Sequence, residues 1–181
     1  RQLGIPATIL LGDAEQLPFP DNAFDLVICN SVFHWFRDRP AAMRGLARVL
    51  KPGGQLALIT ATTPGFREWF LLIDAVIRAV LGPDRAPPMP ELPTPDELAG
   101  LMQEAGLVIE RAQNRIQRDL ITQPFPFVQV MSVIAPTWPG DLSEAEVSRV
   151  QSAAAQLMAT AWPQGFPFTW SALEAVARKM L

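Results

Sequence analysis

The chain has 181 residues, 49% of them hydrophobic and 18% charged, with a net charge of −3. It holds enough apolar material for one sizeable core, and it lacks the basic field that a nucleic-acid backbone requires, so no nucleic-acid partner is expected. One cysteine, Cys29, rules out a disulfide framework or a thiolate metal cluster, and with no signal peptide in view a cytoplasmic protein without a metal is expected.

In chain order, Thr8-Ile9-Leu10-Leu11 reads as a short strand that ends in Gly12-Asp13-Ala14. A loop to Pro20 and an Asp21-Asn22 turn lead to Phe24–Cys29, an apolar β-branched run with the look of a strand covered on both faces. Asn30-Ser31 closes that run with polar groups. His34-Trp35-Phe36 follows, and His34 is the only histidine. The period then changes: Met43, Leu46, Ala47 and Leu50 predict a helix over Asp38–Leu50, with Asp38 as N-cap and Pro40 in the first turn. Lys51-Pro52-Gly53-Gly54 reads as its stop signal. Leu56–Ile59 is the next buried strand and ends at Thr60, so strand, helix and strand make one parallel crossover.

Apolar spacing predicts a helix over Phe66–Leu81, whose Arg67, Glu68, Asp74 and Arg78 argue against a membrane span. Gly82–Pro95 is proline-dense and reads as a stiff extended loop. Thr94-Pro95-Asp96-Glu97 opens a helix on Leu98, Leu101, Met102 and Ala105, which Gly106 ends. Leu107 to about Arg115 reads as an edge strand. Two helices follow at Phe125–Ile134 and Ser143–Ala161, the second with Ser143 and Glu146 as a capping box. Trp138-Pro139-Gly140 and Trp162-Pro163-Gln164-Gly165 are the intervening turns. The last segment, Phe168–Lys179, has local spacing that suits a helix.

The ordered set GDAEQLPFPDNAFDLVICN, HWF, a helix and VLKPGG resembles the second half of the core of class I S-adenosylmethionine-dependent methyltransferases, in their small-molecule group. The resemblance covers Thr8 to Thr62 well, and the rest in its order of elements. It implies an α/β, Rossmann-like fold carrying strands 3, 4, 5, 6 and 7 of the family's sheet, with extra helices. It also makes Phe168–Lys179 a strand inserted antiparallel beside the sixth, against its local spacing. One domain over 1–181 is expected: 1–62 as the second half of the cofactor core, 63–95 as helix and proline-rich loop, and 96–181 as the last helices and strands.

In an open α/β sheet ligands bind outside the carboxyl ends of the strands, which singles out Asp13, Asn30, Ser31 and Thr60. The resemblance implies S-adenosylmethionine as cofactor, with Asp13 and Ala14 addressing the adenine, and Asn30, Ser31 and Trp35 near its methionine part and the substrate. Asp13 equally suits the capping of a turn, and Trp35 and Phe36 equally suit packing. His34 is the catalytic candidate, as a general base or as a donor that positions the acceptor. Methyl transfer from a sulfonium chiefly needs alignment and exclusion of water, and an apolar or acyl-type small acceptor is expected, with the helices at 66–81, 125–134 and 143–161 as a cover or as ordinary core.

The sequence opens on Arg1, and the family's glycine-rich first turn is not in it, so a piece of a longer active enzyme is expected. A methyltransferase-like binding or regulatory module without catalysis is the alternative. An unpaired edge beside Phe24–Cys29 would favour a homo-oligomer.

Overall fold

The computed structural model describes residues 8–134 and 142–181. Its sheet has four strands, β1 (Phe24–Asn30), β2 (Leu50–Ala61), β3 (Leu107–Ile121) and β4 (Phe166–Lys179), in the order β1-β2-β4-β3. Five helices accompany them among the described residues: α1 (Arg39–Val49), α2 (Arg67–Leu81), α3 (Pro95–Glu104), α4 (Pro124–Ile134) and α5 (Glu144–Ala161). The segment with helical spacing near the C-terminus is therefore a strand, and it lies between β2 and β3, beside the strand expected to neighbour it.

β1 and β2 are parallel, joined through α1, with Cys29 opposite Leu58 and Asn30 opposite Ile59. α1 starts as its sequence predicts: the Asp38 carboxylate accepts the Ala41 N–H at 2.8 Å, and a proline occupies the first turn. α5 likewise carries both halves of its capping box, Ser143 and Glu146 each accepting from the other's backbone N–H. α3 begins at Pro95, and the segment before it holds only one short 3-10 turn, Pro83–Arg85.

Several expectations are corrected. Thr8–Leu11 forms no strand, and Ile9, Leu10 and Leu11 are exposed; apolar composition alone makes no strand where no ladder partner is supplied. β1 is not covered on both faces. It is a sheet edge among the described residues, with Leu26 52% and Ile28 68% exposed. Lys51-Pro52-Gly53-Gly54 does not follow the helix as a free turn but lies inside β2, where the register jumps from Phe24–Leu50 to Leu26–Gln55. This is a bulge of the kind that glycine makes feasible: Gly53 has φ 77°, and a Cβ on Gly54 would come within 2.9 Å of the Lys51 carbonyl oxygen. β3 continues to Ile121, beyond the expected Arg115, and stays exposed along most of its length. The turn expected at 138–140 lies outside the described residues.

The described residues form two compact units. The first takes its described residues from 8–60, 96–113 and 174–181. Its core is built by Leu56 and Leu58 of β2, Met43, Leu46 and Ala47 of α1, and Leu98 and Met102 of α3, all buried. Each of the leucines and methionines contributes about 1.5–3 kcal/mol through removal of apolar surface from water. The second takes its described residues from 61–95, 114–134 and 142–173, where α5 packs against α2 and α4. Its core is aromatic: buried Trp69 meets Phe127 edge to face, and Phe127 meets Phe168 in the same way. The buried hydroxyls of Thr62 and Ser171 satisfy one another at 2.8 Å, and Thr62 also donates to Asn114. No helix among the described residues is long and apolar enough to cross a membrane.

Candidate functional site

The candidate site lies within the first unit. Its open feature is a groove of about 560 Å³ that wraps the edge of β1 left unpaired among the described residues. Alternation places Val27 and Cys29 on one face of the strand, and Leu26, Ile28 and Asn30 on the other. Both sets line the groove, joined by Leu46 and Val49 of α1, Ala14, Leu17 and Phe19 of the preceding loop, and Val32 and Phe36 beyond the strand tip. The walls are apolar, and the Asn30 amide is their polar group.

Arg48 of α1 holds the loop wall in place. Its guanidinium donates to the carbonyls of Leu17 at 2.9 Å and Phe19 at 2.7 Å, and pairs with Asp21 at 2.7 Å. The Glu15 carboxylate accepts the Arg37 N–H at 2.7 Å, tying the same loop to the segment after β1. A fork of donors that satisfies two carbonyls and a carboxylate at once is a task for arginine rather than lysine.

At the tip of β1 the chain turns sharply. Ser31 has φ 57°, the left-handed region that a residue with a side chain enters at a cost, and its N–H donates to the Ile59 carbonyl at 2.7 Å. The Ser31 hydroxyl donates to the Asn30 amide oxygen at 3.2 Å. The turn feeds a single 3-10 turn, Phe33–Trp35, in which Phe33 is fully buried. His34 is half-buried there, its ring 4.7 Å from that of Trp35. Thr60, at the neighbouring tip of β2 and fully buried, accepts the His34 N–H at 3.1 Å and lies 3.0 Å from His34 Nδ1.

Burial lowers the His34 pKa to about 4, with the positive charge of Arg39 acting in the same direction. The imidazole is neutral at physiological pH. Burial pushes the Cys29 thiol up to about 11, which removes it as a nucleophile. No group of acidic, histidine or cysteine side chains among the described residues could hold a metal ion.

Of the residues singled out in the sequence, Ala14 and Asn30 share the groove. Ser31 and His34 are tied to the ends of β1 and β2, and Trp35 lies beside His34, its ring tilted by 47° to the imidazole, without lining the groove. Asp13 does not line it either. It is exposed and accepts the Glu15 N–H at 2.9 Å, the turn-capping geometry. The tips carrying Asn30 and Thr60 do stand side by side, by the register of two adjacent strands. Leu17, Phe19 and Arg48 were missed. Their apolar or basic character was visible, but the pairing of a helix arginine with a loop about thirty residues earlier leaves no periodic trace.

A sequence model described as a methyltransferase domain matches residues 1–58. A solved structure of a putative methyltransferase from Bacillus halodurans C-125 superposes with a TM-score of 0.58 at 19% identity, covering 94% of this chain and 76% of that one. The fold is that of the class I methyltransferases. A demethylmenaquinone methyltransferase of Listeria welshimeri is 40% identical over 73 residues, 40% of this chain and 31% of that protein. The matched stretch spans roughly a quarter to a third of the curated relatives' length. The methyltransferase fold also serves other chemistry: the cyclase SpnF superposes with a TM-score of 0.52 at 20% identity, over 94% of this chain and 54% of its own.

Proposed function

We propose that this chain binds S-adenosylmethionine at the tips of β1 and β2 and takes part in methyl transfer to a small apolar or acyl-type acceptor. The observation that carries this reading is the side-by-side placement of Asn30 and the Thr60–His34 pair at adjacent carboxyl-terminal strand tips, with Ala14 and Asn30 in one groove. The residues suit the cofactor chemically. Apolar walls at Val32 and Phe36 accept a ring or a methylene chain, the Asn30 amide both donates and accepts, and Asp13 adjoins Ala14 with a carboxylate for an amino group.

When bound, the cofactor supplies an electrophilic methyl group on sulfur. The chain's own residues align and desolvate. Leu17, Phe19, Val32 and Phe36 exclude water, Asn30 and Ser31 fix polar ends, and His34 with Trp35 faces the acceptor side. An apolar acceptor follows from the same walls. Titration calorimetry with S-adenosylmethionine tests cofactor binding, and a screen of fatty acyl, aromatic and peptide acceptors with labelled cofactor tests the acceptor class. Methylation of polar peptides alone would refute the latter.

A second reading has its own observation. Leu26, Ile28 and Ile59 share one face of the β1–β2 pair by their register, and all three are exposed. Such a face suits a partner strand or a second copy of the chain, in keeping with a binding module that keeps the scaffold without catalysis. Light scattering separates the two: a cofactor-binding monomer favours the enzyme, and a dimer without cofactor binding favours the module.

A further inference from the structure

β3 ends the strand order opposite β1, and among the described residues it has a strand neighbour, β4, on one side only. Its 15 residues exceed the usual strand length of about 3–10, and they include neither the proline nor the glycine that often blunts an edge. Alternation places the even-numbered residues 108–120 on one face, all of them exposed, and Val108, Ile116 and Leu120 are large apolar side chains among them. A ladder left open in this way takes up a further extended strand.

Register says which strand fits. An antiparallel partner that overlaps all of β3 sets Leu107 opposite Ile121, and if that partner is a second β3 the two-fold axis passes through Asn114. Glu110 then stands opposite Arg118 and Arg118 opposite Glu110, so two unlike pairs form at once. On the same face Val108 meets Leu120 and Ala112 meets Ile116, apolar against apolar. Arg111 and Arg115 fall opposite Gln117 and Gln113, so no like charges stand opposite one another.

We propose that the edge of β3 is a dimer interface, pairing antiparallel with β3 of a second copy of this chain with Asn114 at the centre. Glu110 is set for that role. Its carboxylate accepts from Arg178 Nε and, at 2.7 Å, from Gln55, which fixes the side chain and leaves lone pairs for one more donor. Arg118 is exposed and forms no hydrogen bond or ion pair among the described residues. The proposal goes beyond both readings of the candidate site and rests on neither.

Sedimentation velocity of the full chain over a concentration series tests it, and the wild type is expected to dimerise. Arg118→Glu sets like charges together in both pairs and should raise the dissociation constant about tenfold or more, as should Glu110→Arg. Mixed in equal amounts, the two variants restore the dimer, because each supplies the sign that the other lacks. Arg118→Lys keeps the charge and the dimer, and Ile28→Lys, on the β1 edge, leaves association unchanged. A monomeric wild type, an Arg118→Glu chain that associates like wild type, a mixture no tighter than its components, or loss of the dimer in Ile28→Lys overturns the proposal. Should Glu110→Arg fail to fold by circular dichroism, the contrast between Arg118→Glu and Arg118→Lys decides alone. None of these measurements involves the cofactor, so loss of the methyl-transfer reading would leave the dimer result standing.

Discussion

Ser31 donates its backbone N–H to the Ile59 carbonyl at 2.7 Å while holding φ at 57°. The hydrogen bond extends the β1–β2 ladder by one residue, and the left-handed backbone turns the chain off the sheet toward His34. A β-branched side chain tolerates that backbone poorly. Ser31→Val is expected to lower stability by about 1–2 kcal/mol, whereas Ser31→Gly should stay within about 1 kcal/mol of wild type. Urea unfolding followed by tryptophan fluorescence measures both, and equal midpoints for the two variants would contradict the assignment.

The cap of α1 makes a second prediction. Asp38 accepts the Ala41 N–H at 2.8 Å, so Asp38→Ala should cost about 1 kcal/mol and Asp38→Asn much less. The same unfolding experiment reads the difference.

His34 gives the stability a pH dependence of known sign. Its folded pKa of about 4 lies below the ordinary value near 6.5, so between those two values the unfolded chain takes up a proton that the folded chain refuses. Stability therefore falls as pH drops from 6.5 toward 4. Thermal melts across this range should slope accordingly, and His34→Asn, which retains an acceptor for the Thr60 hydroxyl but does not titrate, should flatten the part above pH 5, where ordinary carboxylates are already ionised.

On the binding-module reading, the open face of β1 mediates association. Ile28 is 68% exposed, so Ile28→Lys removes apolar surface without emptying a core, and it should leave the melting temperature nearly unchanged. Any dimer or larger species seen by light scattering should diminish with that substitution. Unchanged association would place the interface elsewhere.

Much of this architecture was legible because local and global signals agree. α1 and α5 combine helical spacing with caps that the structure retains, and α2 forms on its apolar spacing with no side-chain cap. The last strand was legible only through its family resemblance. In β4 the buried positions Ser171, Leu173, Ala175 and Ala177 alternate, but three of the four are small or polar, so their period of two is faint beside the helical spacing of Trp170, Leu173, Val176 and Ala177. Thr8–Leu11 misled for the opposite reason, since its composition is that of a strand and its surroundings supply no ladder. At the site, Asn30 and Thr60 could be read from their positions at strand ends. The two contacts of His34 with the Thr60 hydroxyl and the Arg48 staple on Leu17 and Phe19 could not, because they depend on distances between residues 26 to 31 positions apart.

The central claim is that the tips of β1 and β2 receive an adenosyl sulfonium. Backbone amide NMR during titration with S-adenosylmethionine tests it most directly. The account predicts saturable shifts centred on Ala14, Asn30, Ser31, Val32 and His34, weakened by Asn30→Ala. Shifts confined to residues away from these two strand tips, or none at all at saturating ligand, would contradict it.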